Sequence, residues 1–245
     1  MLKSEIASEI IELSRNALMM DIRFMDAALF ELAPIPSSGV GLMTDGQFLY
    51  YDEDLIINTF KEEKTAVSRA ILHMVLHMIF SHSFVGKQID REKWDLACDM
   101  AVEHVINEAN INCIHTKRQA LQAEKLAEFG KGLKSYTAER LYSRLMNTED
   151  ITDLKTLFFT DSHDKWYKKE EPPLHRGTGT GKNVKKDYKN SEATSNSDKP
   201  FETRNSIAGR WKKLAEGIQV ELETRAKRVG RQNGQYDTDF KCTAP

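Results

Sequence analysis

The sequence predicts a mainly helical α+β domain with one small β-hairpin. Two observations predict this fold class. Apolar residues recur at three- and four-residue steps over most of residues 1–160, and one Asp-Gly pair lies between two short apolar runs. The 245 residues are 40% hydrophobic and 29% charged, close to the average for globular proteins. A chain of this length can bury a large core without disulfide support.

The N-terminal part of the chain predicts two helices followed by the hairpin. The first helix covers residues 4–20, because apolar residues there share one helical face. The second covers residues 22–32 and is expected to stop at Pro34 and Pro36. The pair Asp45-Gly46 then favours a tight hairpin turn, because it tolerates the positive φ that such a turn needs.

The central part of the chain predicts a buried helix and several amphipathic ones. Residues 64–82 are apolar nearly all round, which is typical of a helix at the centre of a domain. A polar loop leads into a helix over residues 93–110, and residues 117–129 have a helical composition. A further helix is expected to begin near Ser135 or Thr137, either of which can cap it.

The composition changes near residue 161. The following segment is rich in Lys, Gly, Ser, Asn and Asp, so it contains too few apolar side chains to offset the entropy of ordering. We therefore expect a domain at 1–160, a flexible polar linker or insertion at 161–205, a helix at 206–235 that docks on the same domain, and a tail at 236–245.

Charge and cysteine content exclude several classes of protein. A formal net charge of -2 argues against a surface that binds nucleic acid or an anionic membrane throughout. Three cysteines without C-x-x-C spacing indicate neither a disulfide framework nor a cysteine zinc site, and they favour a reducing compartment. No stretch resembles a signal peptide or a membrane span, so we expect a cytoplasmic protein.

Two pairs of polar residues predict a site between helices. His73 and His77 are four residues apart, which places both imidazoles on one helical face, as a shared metal ion requires. Asp99 and Glu103 have the same spacing on the next helix. If the two helices pack antiparallel, a rise of about 1.5 Å per residue sets His77 level with Asp99 and His73 level with Glu103. His82 can join them only if its helix breaks near residue 81.

Each of these residues also has a structural interpretation. The two histidines can be hydrogen-bonded core residues, and His82 can simply end its helix, where a cation is favourable. Asp99 and Glu103 belong to a stripe of polar residues at four-residue steps, a pattern that favours a solvated helix face. Asp161, His163 and Asp164 can supply a ligand from outside the helices, although a surface turn is favoured there.

Several segments resemble a known family. AILHMVLHMIFSH and KWDLACDMAVEHVIN are similar to the bacterial predicted metal-dependent peptidases, whose domain usually precedes a von Willebrand factor A-like domain. TDGQFLYY, SYTAERLY, DSHDKW and WKKLAEGIQVELETRAKRVGRQNG also resemble it, so the similarity covers most of residues 5–235. The resemblance implies a zincin-like core and a partner among AAA+ ATPases of the MoxR type.

The resemblance also implies a zinc site. His73 and His77 match the two histidines of an H-E-x-x-H helix, and Asp99 matches the third ligand. His82 or His163 is a candidate to orient a ligand or complete the shell. The zincin pattern has Glu as general base at position 74, but this chain has Met74, whose thioether cannot accept a proton. We therefore expect Glu103 to act as the catalytic base in its place.

Two functions follow from these observations. The first is a zinc-dependent, peptidase-like hydrolase that acts on a protein or peptide. The second is a non-catalytic module of the same fold that binds partners in an assembly with an AAA+ ATPase. A hydrolase needs an open coordination position that a cleft connects to solvent, whereas a structural relic needs a closed shell or plain hydrogen bonds.

Overall fold

The computed structural model describes residues 2–86, 88–167 and 202–233, and it confirms a mainly helical α+β fold. The helices and strands follow one another along the chain in this order: α1 (Lys3–Asp21), α2 (Asp26–Leu29), β1 (Ala33–Pro36), β2 (Leu42–Thr44), β3 (Phe48–Tyr51), α3 (Glu53–Glu62), α4 (Lys64–Ile79), α5 (Arg91–Ala109), α6 (Gln119–Phe129), α7 (Ala138–Leu145), α8 (Thr152–Phe158) and α9 (Arg204–Asn233). No helix among the described residues is long and apolar enough to cross a membrane.

The predicted hairpin is present and belongs to a three-stranded sheet. The strand order is β1-β3-β2, with β2 antiparallel and β1 parallel to β3. Gly46 occupies the turn with a φ of 88°, a conformation that glycine adopts without strain. The Asp45 carboxylate accepts hydrogen bonds from the backbone N–H groups of Gln47 and Phe48, which fixes the turn.

The expected helix over residues 22–32 is present only as two short pieces, and it is not continuous. It is reduced to a 3-10 turn at Arg23–Met25 and the short α2, and strand β1 follows it. Pro34 and Pro36, interpreted as helix stops, lie within β1. Ala33 and Ser37 donate backbone hydrogen bonds to the carbonyl oxygens of Gln47 and Tyr51. Pro34 and Pro36 lie between these two donors, so the N–H groups that the prolines lack remove no hydrogen bond between β1 and β3.

Helix α9 packs against the hairpin turn. Its Trp211 is fully buried and donates a 2.7 Å hydrogen bond from Nε1 to the Gly46 carbonyl oxygen. A Cβ atom on Gly46 would lie only 2.8 Å from Cγ2 of Ile207, so the turn has no room for a side chain there. These contacts place the C-terminal helix on the same core as the hairpin.

Helix α4 is the buried central helix that the sequence predicts. Most of its apolar residues are buried, and Met74, Val75 and Met78 have no exposed surface. The helix ends at Ile79, and Ser81 adopts a left-handed conformation with a φ of 60°. The chain therefore breaks at the position where a break would bring His82 back toward His77.

Residues 161–167 lie at the edge of the sheet. The Ser162 N–H donates a 2.8 Å hydrogen bond to the Leu42 carbonyl oxygen, so this segment bridges to β2. A 3-10 turn at Asp164–Tyr167 follows, with Trp166 buried. Residues 168–201, the rest of the expected linker apart from its last few positions, lie outside the described residues.

Candidate metal centre

The polar residues of α4 and α5 face each other as the helical rise predicts. His73 Nδ1 lies 2.7 Å from Glu103 Oε1, and His77 Nε2 lies 3.3 Å from Asp99 Oδ1. The two pairs are successive levels of one antiparallel helix contact.

The interpretation of the polar stripe on α5 as a solvated face is wrong for its two central members. Asp99 is 5% exposed and Glu103 is fully buried. The stripe turns toward the histidines of α4 instead of toward water, because each carboxylate finds an imidazole partner there.

A third element completes the cluster. Asp161 reaches it from the segment after α8, and its Oδ1 lies 3.4 Å from His73 Nε2 and 4.0 Å from His77 Nε2. Together, His73, His77, Asp99 and Asp161 offer ligand atoms that all lie within 4.8 Å of one another, and all four residues are buried. They form a group that can hold a metal ion.

The surroundings of Asp161 fit such an ion. Both carboxylate oxygens are buried, yet neither accepts a hydrogen bond from the described residues. A buried carboxylate without a partner is strongly unfavourable, so native proteins pair such groups or use them to coordinate metals. Two imidazoles and two carboxylates are, in addition, a donor set that suits a divalent transition metal.

The charges of the cluster respond to burial and to one another. Burial alone lowers the pKa of His73, but the hydrogen bonds with Asp99 and Glu103 outweigh it and raise that pKa to about 9. Burial raises the pKa of Asp99, but His163 and the two α4 histidines hold it well below its usual range. The pKa of His77 falls well below its usual range because of burial and the neighbouring charge of His73.

Glu103 lies on the far side of His73 from the cluster. Its Oε2 accepts a 2.8 Å hydrogen bond from Nε of Arg69 and a second from Nη2, while Oε1 contacts His73 and, at 3.4 Å, Oγ1 of Thr160. Burial raises the pKa of Glu103, but His73 and Arg69 together lower it to about 2. These contacts favour a role in orienting His73, and the catalytic role expected for Glu103 stays a prediction.

His82, the other expected ligand, contacts His77 but is not one of the four residues of the group. The two Nδ1 atoms lie 3.0 Å apart, and Nε1 of Trp94 donates to the His82 carbonyl oxygen. Burial lowers the pKa of His82 to about 3, so the ring is neutral and offers no cation to the end of α4.

The surface turn favoured for residues 161–164 is wrong for two of them. Asp161 and His163 are 2% and 5% exposed, whereas Asp164 is exposed. The His163 ring stacks on Trp166 with 3.7 Å between ring centroids. The one sequence signal for this burial was Trp166, a large apolar residue in an otherwise polar stretch.

Arg69 is a buried charged residue of the site that the sequence analysis missed. It is 1% exposed and forms a buried ion pair with Glu103, and its guanidinium also donates to Asn107 and to the Ile114 carbonyl oxygen. Its only signal was a single positive charge within the apolar run of α4.

A cleft connects the cluster to solvent. Its volume is about 430 Å³, and its wall includes Asp99, Asp161 and His163. Glu103 and the two α4 histidines do not line it. The cluster is therefore open on its carboxylate side and closed on the side of Glu103.

The comparison with protein families agrees with this geometry. Residues 12–240, most of the chain, match the model of a family described as a "putative metallopeptidase domain". The chain belongs to this metallopeptidase-domain family. The family match spans every residue of the cluster, from the α4 histidines to Asp161. No curated protein and no solved structure matches the chain.

Proposed function

We propose that this member of the metallopeptidase-domain family is a zinc-dependent hydrolase that cleaves peptide bonds. One observation carries the proposal: four buried ligand side chains converge beside an open cleft that Asp99 and Asp161 line, and the Asp161 oxygens accept no hydrogen bond from the described residues. A site reached by substrate is what a hydrolase needs and what a purely structural metal does not need.

His73, His77 and Asp99 are the proposed zinc ligands, as the resemblance to zincins implies. Zinc in such a donor set supplies a Lewis acid that polarises a carbonyl group and eases the deprotonation of water. His73 presents Nε2 to the cluster because its other nitrogen, Nδ1, is bonded to Glu103. Glu103 thereby selects the tautomer and fixes the plane of the ring.

Arg69 holds Glu103 in that position. The two residues are almost completely buried, and the guanidinium donates two hydrogen bonds to one carboxylate oxygen. Such a pairing keeps Glu103 ionised and leaves it unable to turn toward the cleft. Arg69 and Glu103 are therefore positioning residues in this proposal.

Asp161 is the proposed proton acceptor. Met74 stands where zincins have their general base, and it has no exposed surface. Asp161 lines the cleft and has two oxygens that accept no hydrogen bond from the described residues, so it can take a proton from a water molecule that enters there. A carboxylate from a distant part of the chain then performs the task of the missing Glu.

The test is peptide hydrolysis by the zinc-loaded full chain. A tryptic digest of casein serves as a mixed substrate, and mass spectrometry detects new peptide termini. We expect cleavage that a chelator abolishes, that His73→Ala abolishes together with zinc binding, and that Asp161→Asn abolishes while zinc stays bound. His115→Ala, which changes an exposed histidine, is the matched control. Zinc binding without any cleavage by the wild type would contradict the proposal.

A second function has one specific observation in its favour. Neither of the two positions considered for a base offers a free one: position 74 is Met74, which is buried in the core, and the oxygens of Glu103 are bonded to Arg69 and His73. A non-catalytic module that retains a metal for structure would show this arrangement. The AAA+ ATPase partner implied by the family resemblance stays a prediction for either function.

A further inference from the structure

A third histidine points at the same cluster. His163 is buried, and its Nε2 has no hydrogen-bond partner among the described residues. That nitrogen lies 3.3 Å from Asp99 Oδ1 and 3.6 Å from Asp161 Oδ1. This nitrogen resembles the oxygens of Asp161, because both are buried and have no hydrogen-bond partner among the described residues.

The distances match those of the α4 histidines. Asp99 Oδ1 is 3.3 Å from Nε2 of His73, of His77 and of His163 alike. Two ligands that bind one zinc ion tetrahedrally at about 2.0 to 2.1 Å lie roughly 3.3 to 3.4 Å apart. His163 is therefore as near to Asp99 as a shared ion requires.

The other side of the His163 ring repeats the arrangement at His73. His73 has Nδ1 against Glu103, and His163 has Nδ1 at 3.4 Å from Asp95 Oδ1. Tyr167 donates a hydrogen bond to that same oxygen of Asp95. Histidines that bind metals usually donate a hydrogen bond from the second nitrogen to a carboxylate, a backbone carbonyl oxygen or a water molecule, which fixes the tautomer and the ring orientation.

Stacking also holds the ring in place. The His163 and Trp166 rings are 3.7 Å apart at an interplanar angle of 12°, and Trp166 is buried. The stacking therefore fixes the orientation of the His163 ring before a metal ion binds, as is typical of a preorganised ligand.

We propose that His163 is a third imidazole ligand of the metal ion and that Asp95 is its positioning residue. The ion is then held by His73, His77, His163 and Asp99, and the open position that a hydrolase needs is an additional, fifth one on the side of Asp161, which faces the cleft. The inference rests on the metal site of the proposed function but not on any hydrolytic activity, so metal binding alone tests it.

Zinc affinity measures the contribution of each residue. Metal-free full chain is titrated with zinc against a chromophoric chelator. We expect His163→Ala to weaken zinc binding by more than about 100-fold, and Asp95→Asn to weaken it by about 10- to 100-fold, as is usual for a residue that supports a ligand. His115→Ala, the exposed control, should bind like the wild type. Unchanged affinity in His163→Ala would overturn the proposal.

X-ray absorption spectroscopy of the zinc-loaded chain counts the imidazoles directly and does not depend on how well a variant folds. We expect three imidazoles in the wild type and two in His163→Ala. Two imidazoles in the wild type would show that His163 is not a ligand, although the chain still binds zinc at the proposed site. A wild type that binds no zinc would overturn both this inference and the proposed function. Three imidazoles without peptide cleavage would support the inference and contradict only the hydrolase.

Discussion

Glu103 and Asp161 are two buried carboxylates on opposite sides of the same histidine. Glu103 has partners on both oxygens, with Arg69 on one and His73 on the other. Asp161 accepts no hydrogen bond from the described residues, although its Oδ1 is only 3.4 Å from His73. On the closed side of the site, both oxygens of Glu103 accept hydrogen bonds or contact a partner. On the side of the cleft, the oxygens of Asp161 accept no hydrogen bond from the described residues.

This difference indicates that Glu103 stabilises the fold and that Asp161 is available to a ligand. A buried charge with a complete set of partners contributes to a rigid framework, and its removal leaves the partner charge stranded. A buried carboxylate that accepts no hydrogen bond is unfavourable in the folded protein unless something binds to it. Changes on the two sides should therefore have different consequences.

The largest expected effect comes from breaking the closed side. Glu103→Ala leaves the Arg69 guanidinium buried without its counter-charge, so we expect the free energy of unfolding to fall by about 3 to 5 kcal/mol. Denaturant unfolding of the metal-free chain measures this loss. Changing both residues to Met should lower the stability by less than the sum of the two single changes. A loss below about 1 kcal/mol in Glu103→Ala, typical of an exposed ion pair, would show that the network is not buried in solution.

Zinc binding should stabilise the folded chain through the residues that hold the ion. An ion that binds only the folded state at a free concentration of 100 times its Kd stabilises the wild type by about 2.7 kcal/mol. Thermal unfolding with zinc and with a chelator measures the shift. His73→Ala should lose the shift, and His115→Ala should keep it. Equal shifts in both variants would mean that zinc binds elsewhere.

Conservative changes at the two carboxylates sharpen the comparison. Glu103→Gln keeps a hydrogen-bond acceptor for His73 but removes the charge, so zinc should still bind with an affinity lowered by about 10- to 100-fold. Asp161→Asn should change the zinc affinity less and abolish peptide cleavage. Chelator competition and the digest assay measure the two properties. The reverse pattern would exchange the roles that we give to the two carboxylates.

The smallest expected effect is at Thr160, which connects the two sides. Its Oγ1 is 3.4 Å from Glu103 Oε1 and accepts a 2.7 Å hydrogen bond from Arg118. Thr160→Val keeps the shape and removes these bonds, so we expect a loss of about 1 kcal/mol in the free energy of unfolding. A loss as large as that of Glu103→Ala would place Thr160 within the network instead of at its border.

The contact between α4 and α5 was predictable from the sequence because it depends on regular geometry. Residues four apart on two helices share a face, and a fixed rise per residue sets their levels, so His73 with Glu103 and His77 with Asp99 follow from spacing alone. The hairpin at Asp45-Gly46 was predictable for a similar reason, since few residue pairs accept its turn.

The open side was not predictable in this way. Asp161 and His163 come from an irregular segment, and a bridge between Ser162 and β2 places them at the cluster. Such a contact has no periodic pattern along the chain, and the polar composition around residue 162 favours a solvated loop. Arg69 was missed because one charge in an apolar helix does not reveal the partner that neutralises it.

The central claim is that His73, His77 and Asp99 hold a metal ion beside Asp161. Elemental mass spectrometry of the zinc-loaded and dialysed full chain tests it most directly, with circular dichroism as the check of folding. We predict a single zinc ion per wild-type chain, and loss of that ion in an Asp99→Ala variant that remains folded. A folded wild-type chain without zinc, or an Asp99→Ala variant that retains it, would contradict the account.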